Sequence, residues 1–339
     1  MFKEKKTLLI TGGAGYIGSA MVLWLLNQGY ICVVYDKVQQ PDYLKLPDVY
    51  YYQANLSYID LLEQVFQQHR PWAILHFAGL INVNESLIRP AQYYQANICI
   101  GIELLNLSIK YQVGRFIFSS TAAVYGIPQD IPISESHSCL PISPYGRTKL
   151  HFEQILKDYF HAYGMKSVSL RYFNAAGAHP QNICGENHSP ETHLIPLTLQ
   201  VASGRRSYLT LYGADYPTPD GTCLRDYIHI QDLCEAHYAA LLYLDKEQNS
   251  TSIFNLGAGK AYSIKDIIRA CEAVTGQHIP VKLMARREGD PPILLADIQQ
   301  AKQQLAWTPS LSDLEIIIQH AWAWEQKISG LVIEKSSIF

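Results

Sequence analysis

Three observations predict an α/β fold: a doubly wound, largely parallel sheet of the Rossmann type with a smaller α/β second lobe. Strand-like and helix-like stretches alternate through the first half of the chain, a glycine-rich turn joins the first strand to the first helix, and the second apolar strand ends in an aspartate. Such alternation places helices on both faces of a parallel sheet, whose ligands bind beyond the carboxyl ends of the strands.

The composition permits this fold. With 339 residues, 48% of them apolar, 17% charged and a net charge of −3, the chain can bury a large core and divide into two domains. That charge excludes bulk affinity for nucleic acid or an acidic membrane. No segment has the length of a membrane span. The basic start at Met1 to Lys6 runs into the glycine turn with no cleavage site, so no signal peptide is expected. Seven cysteines, an odd number without a Cys-x-x-Cys pair, suit reduced thiols in a cytoplasmic protein; neither a disulfide frame nor a metal centre is expected.

Taken in order, strands are expected near 7–11, 31–36, 49–53, 72–77, 115–119 and 167–172, with helices near 16–28, 58–69, 91–111 and 146–163 between them. Beyond Asn174, turn-forming residues gather over 177–193 and 213–224, with a helix near 194–204 between them. The stretch 226–246 reads as a long amphipathic pattern, and helices near 263–276 and 311–328 follow. The expected division is therefore a nucleotide-binding domain over 1–173, with 226–250 packing back on it, and a second lobe formed by 174–225 and 251–339.

Gly12, Gly15 and Gly18, with Tyr16 and Ile17 between them, follow the strand Leu8-Leu9-Ile10-Thr11 and open a helix. Glycines at this spacing let the chain turn sharply, let a pyrophosphate approach the main chain and let helix and strand pack closely. The phosphates then meet the helix N-terminus. Asp36, at the end of the second strand, would accept both hydroxyls of an adenosine ribose and repel a 2′-phosphate, which points to NAD rather than NADP.

Strand ends should border the cofactor, which draws attention to His76-Phe77-Ala78-Gly79 and Ser119-Ser120-Thr121. Downstream, Tyr145 and Lys149 are four apart at the start of a helix introduced by Ser143-Pro144, so they share one face. A tyrosine beside an ammonium and an oxidised nicotinamide is biased toward phenolate and can take a proton from a sugar or alcohol while hydride leaves the same carbon. Thr121 can hydrogen-bond the reacting oxygen.

Together these segments resemble the extended short-chain dehydrogenase/reductases. The blocks Arg171 to Pro180, Glu191 to Pro196, Asp220 to His229 and Arg286 to Asp290 are similar, more narrowly, to the UDP-glucose 4-epimerase family, and the resemblance runs from about residue 7 to about 325. It implies a homodimer and a tightly held NAD, reduced and reoxidised in each interconversion of UDP-galactose and UDP-glucose through a 4-ketosugar. Tyr145 would be the base, Lys149 would hold the nicotinamide ribose, and Thr121 would orient the 4-oxygen. Asn55 and Leu56 would meet the adenine side; Phe77, Ala78 and Gly79 the bridge to the nicotinamide; Asn97, Ser119 and Tyr172 its remainder.

On the substrate side, Arg225 and Arg287 offer planar permanent donors for a diphosphate, Asp290 an acceptor for a ribose hydroxyl and Tyr212 a face for uracil. Asn174, His193, Leu194 and Thr210 complete the implied pocket. Three departures stand out: Asn55 where many relatives have Asp, Ile81 where some have Lys, and Leu294 at the position lining the sugar's 2-substituent, a residue of intermediate size. A 4,6-dehydratase is disfavoured because Ala122-Ala123 replace the Asp-Glu that such enzymes carry after the threonine. Epimerases of UDP-N-acetylglucosamine or UDP-xylose remain open, as does a non-catalytic NAD sensor, which would have no need of Tyr145, Lys149 and Thr121 together.

Overall fold

The computed structural model describes residues 5–246, 251–287 and 289–330. Expectations that fall on 1–4, 247–250, 288 and 331–339 lie outside the described residues. In chain order the elements begin with β1 (Thr7–Thr11), α1 (Tyr16–Asn27), β2 (Ile31–Asp36), β3 (Val49–Gln53), α2 (Ile59–His69), β4 (Ala73–His76), α3 (Val83–Ile88) and α4 (Pro90–Tyr94). A π-helical segment (Gln95–Cys99) leads into α5 (Ile100–Lys110), then β5 (Arg115–Thr121), α6 (Pro144–Tyr163) and β6 (Lys166–Tyr172). The remainder comprises β7 (Asn174–Ala176), α7 (Leu194–Ala202), β8 (Leu209–Tyr212), β9 (Leu224–His229), α8 (Ile230–Lys246), β10 (Thr251–Leu256), β11 (Ala261–Ser263), α9 (Ile264–Thr275), β12 (Val281–Met284), β13 (Ile293–Leu294), α10 (Gln299–Leu305) and α11 (Leu314–Ile328).

Seven parallel strands form the main sheet in the order β10-β6-β5-β4-β1-β2-β3. Leu8, Leu9 and Ile10 are wholly buried, as continuous apolar strands covered on both faces must be. From β1 the chain winds one way to β2 and β3, and from β4 the other way to β5 and β6. The crevice at this reversal, beyond the ends of β1 and β4, is where doubly wound sheets bind ligands. Here Thr11 Oγ1 and His76 Nδ1 lie 2.6 Å apart and tie the two strand ends together.

Two features differ from the sequence expectation. Thr251–Leu256 is not part of the second lobe but pairs with β6 as the seventh strand of the main sheet. Ala301, Leu305 and Trp307, in and just after α10, join the same core, because the apolar face of α8 covers this end of the sheet and leaves a surface for β10 and α10 to close. The stretch expected as one long pattern from 226 begins instead as β9, which pairs with β7, β11 and β13. With α7, α9 and α11 these strands build a separate small core around Ile195, Tyr227, Ile267 and Ile317. No helix among the described residues is long and apolar enough to cross a membrane.

Local chemistry fixes the helix that carries Tyr145 and Lys149. Ser143 Oγ accepts from the N–H of Gly146 at 3.1 Å, Pro144 occupies the first turn, and Gly164 ends the helix in the left-handed region at φ 70°.

Candidate active site

The turn after β1 is pressed against the turn after β4. A Cβ on Gly12, whose φ is +73°, would lie 2.6 Å from the Ala78 nitrogen, and one on Gly18 would lie 2.1 Å from the Gly12 carbonyl oxygen. No side chain caps the N-terminus of α1 at Gly15 and no acidic residue occupies its first turn, so its N–H groups face the crevice without a competing anion. Asp36 accepts from the Ala14 N–H at 2.9 Å and the Val38 N–H at 3.0 Å. Each carboxylate oxygen keeps a further lone pair for a ligand hydroxyl.

At the end of β5 stand Ser119, Ser120 and Thr121. Thr121 Oγ1 accepts from the Ala123 N–H at 3.2 Å, and its side chain stands beside the Tyr145 phenol in the cleft. Lys149 Nζ donates to the Ser119 carbonyl at 2.8 Å and lies 5.9 Å from the centroid of the Tyr145 ring. Burial pushes the ammonium down from 10.5 to about 8, against the pull of Glu153. Sequence reasoning expects Lys149 to depress the Tyr145 phenol. In this structure burial dominates instead and holds Tyr145 above its usual 10, with the Thr121 hydroxyl opposing it. Beneath this trio, Glu153 Oε1 accepts from Ser120 Oγ at 2.5 Å and from Arg171 Nε at 3.0 Å, while its Oε2 accepts from the same guanidinium at 2.6 Å. Both partners of this pair are almost fully buried.

The glycine turn, Asp36, Ser119, Thr121, Tyr145 and Lys149 line a single cleft of about 690 Å³. Gly12, Gly15, Tyr16, Ile17, Gly18, Asp36, Asn55 and Leu56 form one end, and Phe77, Ala78, Gly79, Ser119, Thr121, Tyr145, Lys149 and Tyr172 continue it, with Asn174 and His193 on the wall. Tyr172 is hydrogen-bonded through its hydroxyl to His237 and held well above the usual phenol range by burial. Asn97 does not line the cleft. Buried in the π-helical segment, it accepts from the Leu80 N–H at 2.8 Å and donates to the Leu80 carbonyl at 3.0 Å, so it acts on the cleft by fixing the loop after Gly79.

Leu194, Thr210, Tyr212, Arg225, Arg287, Asp290 and Leu294 also stand outside the lining of this cleft, as two neighbouring groups apart from Leu194, which starts α7. Arg225 forms an ion pair with Asp290, and Leu294 is the strand partner of Arg225 in the β13–β9 register. Leu294 packs against Ala122, Val124 and Tyr125, the turn that directly follows Thr121. Thr210 and Tyr212 lie on β8, and the Arg287 guanidinium sits 4.0 Å from the centroid of the Tyr212 ring. The tyrosine face expected for a base is thus covered by Arg287, and the carboxylate expected for a ribose is engaged by Arg225. Both cations are satisfied by the nearest π-face or anion.

The sequence profile of the NAD dependent epimerase/dehydratase family matches residues 8–257. The chain belongs to this family. Among its relatives, a UDP-glucose 4-epimerase of Halalkalibacterium halodurans is 46% identical over 320 residues, covering 94% of this chain and 96% of the relative. The crystal structure of UDP-glucose 4-epimerase from Brucella ovis in complex with NAD superposes with a TM-score of 0.90 at 42% identity, over 94% of this chain and 97% of that one. That of the Bifidobacterium longum enzyme in complex with NAD+ and UDP gives a TM-score of 0.90 at 36% identity, over 95% and 98%. The main parallel sheet with helices on both faces is the fold that this epimerase/dehydratase family shares.

Sequence reasoning missed several residues of this family member's cleft. Lys37, Val38, Val83, Phe173, Glu186 and His188 also line it, as does Ile81, which the sequence marks only as a departure from relatives that carry Lys there. For Lys37 and Val38 the signal was their place next to Asp36. For Glu186 and His188 it was a spaced pattern, Glu186-x-His188-x-x-Glu191-x-His193, whose first half lies in a turn-rich stretch and whose second half enters only as part of the pocket the resemblance implies. His193 contacts the Glu186 carboxylate, and although burial opposes it, this contact and Glu191 push its imidazole up to about 10.

Proposed function

We propose that this chain interconverts UDP-galactose and UDP-glucose by inverting C4 of the sugar, with NAD held in the cleft throughout. The observation that carries the reading is the convergence of Thr121, Tyr145 and Lys149 on the same cleft that the glycine turn and Asp36 line at its other end. UDP-glucose 4-epimerases at 46% identity over nearly the whole chain support it.

The residues fit the cofactor. The uncapped N-terminus of α1 suits a pyrophosphate, and the free lone pairs of Asp36 suit ribose hydroxyls rather than a 2′-phosphate. Asn55 and Leu56 would flank the adenine, Lys149 the nicotinamide ribose, and Phe77, Ala78, Gly79, Ser119 and Tyr172 the nicotinamide. When bound, NAD supplies a hydride acceptor and donor for C4 of the sugar and, oxidised, a positive charge beside the phenol.

Tyr145 would accept the proton of the 4-hydroxyl and return it, and Thr121, beside it on the cleft, would hydrogen-bond the 4-oxygen and orient it. Arg225, pre-oriented by Asp290, and Arg287 would take the diphosphate. Asp290 would also meet the uridine ribose, and Tyr212 and Thr210 the base. Asn174, His193 and Leu194 would close the pocket, and Leu294, packed behind Thr121, would limit the sugar's 2-substituent. The main sheet with its helices would form the NAD-binding unit and the small sheet with α7, α9 and α11 the substrate lobe. We further propose a cytoplasmic homodimer joined through the helices near 91–111 and 146–163. Seven free cysteines support the reducing compartment, and sedimentation equilibrium at monomer mass would overturn the dimer.

Proton NMR of the purified protein with UDP-galactose, no cofactor added, tests the activity. Appearance of the gluco epimer is expected; no conversion even after NAD is supplied would overturn the reading. UDP-N-acetylgalactosamine, run in parallel, should turn over more slowly because of Leu294.

A further inference from the structure

Beside Tyr16 four side chains from one loop meet, Glu186, His188, Glu191 and His193, of which all but Glu191 line the cleft. One donor atom from each lies within 4.8 Å of all the others. His188 Nδ1 is 3.1 Å from Glu186 Oε1 and 3.8 Å from Glu191 Oε2, and His193 Nδ1 is 3.5 Å from Glu191 Oε1 and in direct contact with Glu186 Oε1. The two carboxylates are 6% and 4% exposed, and among the described residues no lysine or arginine forms an ion pair with either; the two imidazoles do, and Tyr16 and Glu325 stand nearby. The His193 imidazolium offsets part of the repulsion between these two buried carboxylates, and a divalent cation would offset the whole of it.

We infer that this cluster is a binding site for a divalent cation of the zinc class, with two imidazole nitrogens and two carboxylate oxygens as ligands. Zinc with bonds of about 2.0–2.1 Å holds tetrahedral donors about 3.3–3.4 Å apart; the separations here run from the direct His193–Glu186 contact up to within 4.8 Å, a spread that brackets that spacing, so binding would need the His188 and His193 rings to shift. The donor set is mixed nitrogen and oxygen, which suits zinc and disfavours the all-oxygen preference of magnesium or calcium. Four protein ligands leave no open position, so the ion is structural: it neutralises the carboxylates and fixes the loop. The backbone is prepared for this. Glu191 Oε1 accepts from the Thr192 and His193 N–H groups at 2.7 and 2.9 Å, and the Glu186 carbonyl accepts from Trp324 Nε1 on α11 at 2.9 Å. Because His193 leads directly into α7, the ion would set where Leu194 and the cleft wall stand relative to the main sheet. The inference does not depend on which sugar the cleft accepts.

The test uses the full chain without an affinity tag, stripped by a chelator and gel-filtered after exposure to zinc. About one zinc ion per chain should be retained, and zinc should raise the melting temperature. The double variant His188→Ala/Glu191→Gln should lose the ion and the thermal shift. Cobalt on the unaltered chain keeps the test independent of how the variant folds: intense visible bands of four-coordinate cobalt are expected. No retained metal, the weak spectrum of six-coordinate cobalt, or equal retention by a folded double variant would each overturn the proposal.

Discussion

Replacing Lys149 with Met should make the protein more stable and inactive at once. The side chain is 3% exposed, and burial holds its ammonium at about 8 instead of 10.5. At about 1.4 kcal/mol per pH unit, keeping it charged at neutral pH costs the fold about 3 kcal/mol. Methionine fills similar space without a charge, while the Ser119 carbonyl loses a donor, a loss of about 1 kcal/mol. The net gain is about 2 kcal/mol near pH 7. Between about 8 and 10.5 the unfolded lysine keeps its proton while the folded one gives it up, so the stability of the parent rises with pH across that window. The advantage of the variant must therefore shrink as pH rises. Urea midpoints of cofactor-stripped parent and variant at about pH 7 and pH 10, with turnover by NMR, test this. A variant no more stable at neutral pH, or one whose advantage is as large at high pH, would refute the reasoning.

Tyr145→Phe keeps the buried ring and removes the proton acceptor, so NAD content should be unchanged while turnover falls by about 10²–10⁴, read by cofactor release on denaturation and by NMR. Asp36→Ala removes the acceptor at the end of β2; NAD affinity should fall by about 10–100-fold while discrimination against NADP weakens, measured by calorimetry on stripped protein. Arg171→Leu leaves Glu153 buried without its cation and should cost about 3–5 kcal/mol in urea unfolding, a loss that Arg171→Leu/Glu153→Leu largely recovers.

Much of the main sheet was legible because its strands are uninterrupted apolar runs ended by glycine or polar turns. Ile31–Asp36 and Val49–Gln53 have the bounds the pattern predicts, and the Tyr145 helix starts within two residues of its expected place. Thr251–Leu256 was not legible as a sheet strand, because Thr251, Ser252 and Asn255 interrupt it with polar side chains and its partner β6 lies far back in the sequence. The π-helical break within 91–111 likewise coincides with a contact the pattern does not report, Asn97 with Leu80. At the site, residue types and spacing indicate which groups carry the chemistry. They do not show that Arg225 meets Asp290 or Arg287 meets Tyr212, since a charge without coordinates has no nearest neighbour. The Tyr145 shift escaped for the same reason: it is set by burial, which a motif does not report.

The placement of β10 has a consequence for how the protein is made. On the ribosome, β1 to β6 can assemble as soon as Tyr172 has emerged, but the free edge of β6 stays uncovered until Leu256 has been synthesised. Through that interval the nascent chain carries an open strand of a parallel sheet, the kind of edge that pairs with a stranger. Chains released early, between these two points, should therefore be the ones that aggregate or are held by chaperones.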